Sequence, residues 1–259
     1  MQTPKPASTL VCCSITTDWP HKILLLKRNE RSAFLPGAYV FPGGRLDKND
    51  QKLARWLESD KDGLDRIAQF FPAQHPVLEH LACAMRETLE ESAISVAKAT
   101  LNGQDFFLKP YELKDLLSNI EVPYQARLDH IWPISWWITP SGESRRFDTN
   151  FFLALLPQEQ SAHCQGETKN PLWLSPNEAL NSYEQHKLFL APPTRSVLER
   201  MNSSKNIEEF ISYIDSPLFP IEPYFIDQKD KKILVLPGDE MHHYKKKSRF
   251  IMKTRYQFP

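Results

Sequence analysis

Glu87, Glu90 and Glu91, in the run Ala84-Met85-Arg86-Glu87-Thr88-Leu89-Glu90-Glu91-Ser92-Ala93-Ile94, are the residues of this 259-residue chain best spaced for chemistry. On a helix advancing 100° per residue the three carboxylates fall within roughly 100° of one another. Leu78, Leu81, Ala82, Met85 and Leu89 fall on the other side as one apolar stripe. One face therefore reads as core and the other as a concentrated patch of negative charge. Glu87 and Glu91 stand at i,i+4, where like charges destabilise a helix by about 0.2–0.5 kcal/mol. Arg86 is the only cation in that turn. A hard divalent cation relieves the repulsion, because magnesium prefers carboxylate oxygens and keeps waters that a substrate diphosphate can replace. A glutamate cluster alone is more often a solvated face, so its surroundings decide.

Upstream stands Phe41-Pro42-Gly43-Gly44, and glycines let a loop backbone approach a helix, a metal or a phosphate closely. The elements that must hold loop against helix follow from composition. Thr9 to Thr17 and Lys22 to Arg28 read as strands. Arg31 to Gly44 reads as a loop, a short strand and a tight glycine turn. From Asp47 to Pro76 the chain turns charged and helical, with Leu53, Trp56, Leu57, Leu64, Ile67 and Phe70 as an intermittent apolar face, an inserted helical segment closed by Pro72 and Pro76. The carboxylate helix then runs from about Val77 to Ile94. Ile131–Thr139, Arg146–Leu156 and Leu172–Ser175 read as further strands, and Pro176 opens a helix. Residues 192 to 215 read as helical and 221 to 236 as short strands. Irregular alternation of this kind predicts a mixed sheet covered by helices.

Lys+Arg and Asp+Glu are both 32, so no general attraction to a polyanion follows, nucleic acid is not an expected partner, and an anionic ligand needs a local arrangement. Cys12, Cys13, Cys83 and Cys164 form no Cys-x-x-Cys pair, which fits buried apolar roles rather than a disulfide framework or a zinc site. The amino terminus lacks the order of a signal peptide. Runs such as Phe151 to Leu156 are too short to cross a bilayer. Gln257-Phe258-Pro259 is not a peroxisomal address. The expectation is a cytoplasmic protein with no membrane partner.

The two motifs together resemble the box of the Nudix family: Gly, five residues, Glu, seven residues, then Arg-Glu-apolar-x-Glu-Glu-x-Gly-apolar. Gly44 matches the opening glycine and Arg86 to Ile94 the closing half. Here 41 residues separate Gly44 from Arg86 instead of thirteen, so roughly 28 are inserted. The first glutamate of the box has no secure counterpart, and Glu79, one position off, is a weak candidate. Thr88 and Ala93 replace an apolar residue and the glycine. A left-handed helix end costs alanine about 1 kcal/mol, which leaves open that the helix ends differently. The interrupted box, the phrase from Arg31 to Gly44, Arg145-Arg146-Phe147-Asp148-Thr149 and Leu236-Pro237-Gly238-Asp239-Glu240 resemble the nucleoside diphosphate-linked moiety X motif 19 group over residues 9 to about 244. That resemblance implies an α/β fold, the Nudix-type α/β/α sandwich with mixed sheet. The whole chain, 1–259, would be one domain, with a helical insertion at 47–76 and a C-terminal extension at 192–259. It implies metal-dependent hydrolysis of coenzyme A or acyl-coenzyme A to 3′,5′-ADP and (acyl-)phosphopantetheine.

The same resemblance implies roles by position. Glu87, Glu90 and Glu91 would bind magnesium or manganese, with the Gly43 carbonyl as a further ligand. Arg86 would orient a carboxylate by a charge-assisted hydrogen bond. Glu167, in the loop before Trp173, is the candidate base, with Glu143 as fallback. Arg31, Arg145 and Arg146 are candidates for the substrate's charge, although a rim salt bridge suits Arg146 equally. Phe34 and Tyr39 could stack on a base, and Gly44 would let the substrate approach. Trp132, Trp136 and Trp137 are expected to pack within the fold. His242-His243 lies near Lys245, Lys246, Lys247 and Arg249, a basic run that reads as a solvated tail. The expected partner is a small-molecule nucleotide diphosphate; the insertion or the extension could also form a homodimer contact. A nucleotide sugar, a dinucleotide, or a non-catalytic nucleotide-binding module are the other readings. All three carboxylates persist, which favours an enzyme.

Overall fold

The early aliphatic runs form β1 (Lys5–Ser14) and β2 (Lys22–Arg28), and the three consecutive leucines of β2 are fully buried, as suits a central strand. The computed structural model describes residues 2–15, 21–32, 35–118, 122–164, 168–228 and 231–257. The glycine-rich stretch yields two short strands, β3 (Ala38–Val40) and β4 (Gly43–Arg45). The charged helical segment after the glycines folds as two helices, α1 (Asp50–Leu57) and α2 (Lys61–Ala68). Asp60 separates them: it caps α2 through the Gly63 amide at 3.2 Å and also accepts from the Leu128 amide at 2.7 Å. The carboxylate helix is α3 (Val77–Ser92).

Residues after α3, for which the sequence suggested nothing, form a small antiparallel sheet of β5 (Lys98–Leu101), β6 (Gln104–Phe107) and, after α4 (Pro110–Leu117), β7 (Gln125–Arg127). This subdomain braces the insertion, with Trp56 of α1 donating to the Tyr124 carbonyl at 3.0 Å. The main sheet resumes with β8 (Ile131–Ile138), β9 (Phe147–Leu156) and β10 (Thr168–Leu174). Then come α5 (Pro176–Glu184), β11 (Phe189–Leu190), α6 (Pro192–Ser203) and α7 (Ile207–Ser212). A capping box between Ser175 and Glu178 starts α5 at Pro176, as expected.

The main sheet is mixed, in the order β11-β3-β2-β1-β9-β8, with β10 added to β2 and β4 to β1. β1 is parallel to β9 along its whole length, from Lys5 opposite Phe147 to Ser14 opposite Leu156. β4 is antiparallel to β1, with Ser8 opposite Gly44 and Thr9 opposite Gly43, so the glycine ribbon lies on the edge of the sheet's central strand.

The C-terminal part is a second antiparallel sheet, β12 (Tyr224–Gln228), β13 (Lys231–Val235) and β14 (Arg255–Gln257). The basic run before β14 is not a free tail. Lys245, Lys246 and Lys247 are exposed, but His242, Phe250 and Ile251 are buried. Arg249 donates to the Ser212 carbonyl at 2.7 Å, and Arg200 donates to the carbonyls of Phe250 and Arg249 at 2.9 and 2.7 Å. Apolar residues at 250 and 251 pull the segment back over α6 and α7, which a count of lysines does not reveal. The Leu-Pro-Gly-Asp-Glu motif has a structural part here. Asp239 accepts from Arg255 at 2.7 and 3.0 Å and from Thr254 at 2.9 Å, clasping β14. Among the described residues no helix is long and apolar enough to cross a membrane.

Candidate active site

The expected apolar stripe of α3 is buried, apart from half-buried Leu78, but so are His80, Cys83, Ala84, Arg86, Thr88 and Ser92. The helix is covered on both sides, by β1 and β4 and by α1 of the insertion. Its glutamate face forms the floor of an open cleft. Glu87 keeps 17% of its side chain exposed and Glu90 keeps 56%.

Arg86 organises this floor. Its Nε donates to Asp50 Oδ1 at 2.6 Å and its Nη2 to Asp50 Oδ2 at 3.3 Å. Nη1 donates to Glu87 Oε1 at 2.9 Å and to Glu90 Oε2 at 2.8 Å, and Nη2 also reaches the Arg45 carbonyl at 3.0 Å. One planar guanidinium thus orders three carboxylates, a geometry lysine could not reproduce. Asp50, only 1% exposed, went unread in the sequence. It stands six positions after Gly44, where the box pattern has its first glutamate. Counting forward from the glycine finds it, while counting back from Arg86 lands on Leu78, one position from Glu79. Glu79 is not Arg86's partner; Asp50 is.

The glycines are required by contact. A Cβ on Gly44 would stand 2.4 Å from the Glu87 carboxyl carbon, and one on Gly43 would stand 2.4 Å from the Ser8 carbonyl oxygen. The Gly43 amide donates to Glu91 Oε2 at 3.1 Å, tying the ribbon to the last turn of α3. Behind the ribbon, Ser8 Oγ lies 2.8 Å from His80 Nδ1, and the His80 ring stacks on His75 at 4.9 Å. Burial, and then the neighbouring His75, push His80 down to about 4, so it is neutral at physiological pH.

Burial raises the Glu87 carboxyl above its ordinary range, against the pull of Arg86 and with the help of Glu90 and Asp50. Burial opposes the charge on Arg86 as well, but hydrogen bonds to Asp50 and the Glu87 charge hold its guanidinium firmly protonated. Three carboxylates, at 50, 87 and 90, thus share one guanidinium, and a fourth, Glu91, is held beside them by the Gly43 amide. Among the described residues no three His, Cys, Asp or Glu side chains converge into a preformed metal cage. The donor set still fits magnesium: it is oxygen-only, carries surplus negative charge, and is open enough for retained waters, as that ion prefers. The helix ends left-handed after all: Ala93 has φ 58° and ψ 21°, with its amide on the Leu89 carbonyl. The chain keeps the geometry of a glycine cap without the glycine.

This floor opens into a cavity of about 1390 Å³, above the roughly 300–1,000 Å³ usual for small-ligand sites. Glu87, Glu90, Glu91, Gly43 and Gly44 line it, as do Arg145 and Glu143. Arg145 is exposed there. Arg146 also lines the cavity but is a structural tie: it donates to the Thr139 and Gln2 carbonyls at 3.0 and 3.1 Å and pairs with Glu222. The salt-bridge reading of Arg146 is the one the geometry favours. Arg31 is exposed on the turn after β2 and does not line the cavity, whereas Arg28, at the end of β2, does. Tyr39 packs against the core and is likewise absent from the lining, and Trp137 lines it. Phe34 and Glu167 lie outside the described residues. Thr168, next in the chain after Glu167, donates to the Glu91 carbonyl at 3.3 Å. Sequence reasoning missed Asp50, Arg28 and the lining residues of β12 and β13. Only the first had a readable signal, its distance from Gly44.

The chain matches the family model described as NUDT19 Nudix domain over residues 2–201. It is 29% identical over 271 residues to the protein named acyl-coenzyme A diphosphatase NUDT19 of Xenopus laevis, covering 86% of this chain and 71% of that protein. With the human protein of the same name it shares 26% identity over 298 residues, covering 92% of this chain and 79% of the other. Among solved structures it is similar to a Nudix hydrolase from Alicyclobacillus acidocaldarius, with TM-score 0.66 and 25% identity, covering 83% of this chain and 99% of that one.

Proposed function

The chain belongs to the NUDT19 Nudix domain family, and from that premise we propose that it is a magnesium- or manganese-dependent diphosphatase of coenzyme A or acyl-coenzyme A. The products are 3′,5′-ADP and phosphopantetheine or its acyl form. The observation that carries the reading is the Arg86 clamp. A buried guanidinium holds Asp50, Glu87 and Glu90 in one array beside a side-chain-free ribbon, inside a cavity roomier than a mononucleotide needs. The relatives' names supply the substrate.

Glu87, Glu90 and Glu91, with the Gly43 carbonyl, would hold the metal. When bound it supplies charge neutralisation on the diphosphate and a more acidic water. Arg86 keeps the carboxylates aligned, and the Gly43 amide fixes Glu91. Gly44 leaves room for the diphosphate beside Glu87. Arg145 offers paired donors to a phosphate at the open side of the cavity. Glu167 accepts the proton of the attacking water, with Glu143 on the cavity lining as the alternative; support for Glu167 is the bond from adjacent Thr168 to the last turn of α3.

The test is product-resolved hydrolysis with magnesium over coenzyme A, acyl-coenzyme A thioesters, ADP-ribose, NADH, diadenosine polyphosphates and nucleotide sugars. Release of 3′,5′-ADP from the coenzyme A set supports the reading. Cleavage confined to another compound keeps the site and discards the substrate. In Glu91→Gln turnover should fall at least ~10²-fold with the fold intact; wild-type-like turnover would remove Glu91 from the site.

A further inference from the structure

The C-terminal sheet lies beyond the residues matched by the family model, yet it completes the cavity. Ile221 pairs in parallel with Trp137, so the chain enters the β12–β13 hairpin alongside β8. Within the hairpin Phe225 stands directly opposite Leu234. Side chains alternate along a strand, so Pro223 shares the face of Phe225 and Lys232 that of Leu234. Among the described residues these four line the cavity from the hairpin. Ile226 and Ile233 form the next cross-strand pair and belong to the other face. The cavity-facing surface is thus a phenyl, a leucine and a proline, with the Lys232 ammonium 5.9 Å from the Phe225 ring.

Register shows how far this wall lies from the carboxylates. Arg45 of β4 is opposite Ala7 of β1, Ala7 opposite Thr149 of β9, and Thr149 opposite Trp137 of β8. All four line the cavity. From the glycine ribbon to β8 is three strand spacings, about 14 Å, and residues 221–225 come after that. A diphosphate held at Glu87, Glu90 and Glu91 does not reach the hairpin. A long group attached to the diphosphate does, and an apolar surface there favours an apolar end.

We propose that the hairpin face built by Phe225 and Leu234, with Lys232 at its edge, receives the apolar end of the substrate remote from the diphosphate and so sets acyl-chain preference. The assignment rests on the diphosphatase reading above. Its test compares the full-length protein with Phe225→Ala and Phe225→Trp, each first shown to be folded by circular dichroism and melting. kcat/KM is measured for coenzyme A, hexanoyl- and palmitoyl-coenzyme A with magnesium. A lost or narrowed apolar contact of this size changes discrimination by about 10-fold or more. Phe225→Ala should lower the palmitoyl-to-coenzyme A ratio by that factor, chiefly through KM, and Phe225→Trp should move the preference toward the shorter chain. Ratios within about twofold of wild type in both folded variants overturn the proposal, as that is far below the effect of one apolar contact. If wild type cleaves none of the three, the diphosphatase reading fails separately. Calorimetric binding of palmitoyl-coenzyme A then decides the wall, and equal affinity of wild type and the folded variants overturns it. If Phe225→Ala does not fold, Phe225→Trp and Lys232→Glu carry the same comparison.

Discussion

Asparagine at position 50 removes one charge from the Arg86 clamp and little else. Asp50 is 1% exposed and accepts Arg86 Nε at 2.6 Å, Arg86 Nη2 at 3.3 Å and the Asp47 amide at 2.6 Å. An amide keeps the size and one acceptor, but loses the charge and turns a donor toward a guanidinium or an N–H. Breaking a buried ion pair from one side costs about 3–5 kcal/mol. Glu87, Glu90 and the Arg45 carbonyl remain on Arg86, so the lower end, about 3 kcal/mol, is expected for Asp50→Asn. For a chain of this size that lowers Tm by roughly 6–12 °C. Released on one side, Arg86 turns further onto Glu87 and Glu90 and competes with any cation there, so the magnesium dependence of turnover should move to about 10–100-fold higher concentration. Urea unfolding and a magnesium titration of activity measure the two effects. Glu79→Gln is the contrast, because Glu79 takes no part in the clamp, and it should stay within about 0.5 kcal/mol of wild type. If Asp50→Asn were as stable as wild type, or Glu79→Gln as damaging as Asp50→Asn, the clamp would be misassigned.

Three further outcomes follow from the geometry. Ala93 occupies a left-handed position, so Ala93→Gly should raise stability by about 1 kcal/mol and Tm by roughly 2–4 °C, read by thermal melting; a fall would mean that the alanine methyl packs favourably. His80 is held at about 4 by burial, below the free imidazole. The unfolded chain therefore binds its proton first, and stability falls as the pH drops from about 6.5 toward 4, by about 3 kcal/mol. Urea midpoints across that window should show a shallower slope in His80→Gln, and an unchanged slope would mean His80 is charged in the fold. Arg146→Ala should cost about 1–3 kcal/mol, since it leaves the Thr139 and Gln2 carbonyls without their buried donor and unpairs half-exposed Glu222. Arg145→Ala should instead leave unfolding within about 0.5 kcal/mol and raise KM. The reverse pattern would exchange their roles.

The carboxylate helix was legible because its signal is local: charge and apolarity repeat at the helical period, and Arg86, Glu87, Glu90 and Glu91 lie on two successive turns of one element. The glycine pair was legible because only residues without a Cβ suit such an approach. Strands β1, β2, β8 and β9 announced themselves by aliphatic runs, and Pro176 by its fit to a first helical turn. By contrast, 95–130 mixes short strands and a short helix with no sustained period, and its sheet exists only through pairing of β5 with β6 and β7.

What tertiary structure alone decided is who meets whom across long stretches of chain. The insertion leaves Asp50 and Arg86 36 positions apart in the chain, and only the packing of α1 on α3 brings the pair to 2.6 Å. Arg145 and Arg146 are neighbours of identical type just before β9, and both border the cavity, yet one is exposed while the other is buried and tied to Glu222 and the Thr139 and Gln2 carbonyls, partners that distant segments supply. Phe225 and Leu234 read as an ordinary short hairpin until the Ile221–Trp137 bridge sets them beside the cavity. Helical period and glycine are properties of short segments and can be read along the chain. Salt-bridge partners and cavity walls depend on register and packing between distant segments, which no local pattern encodes.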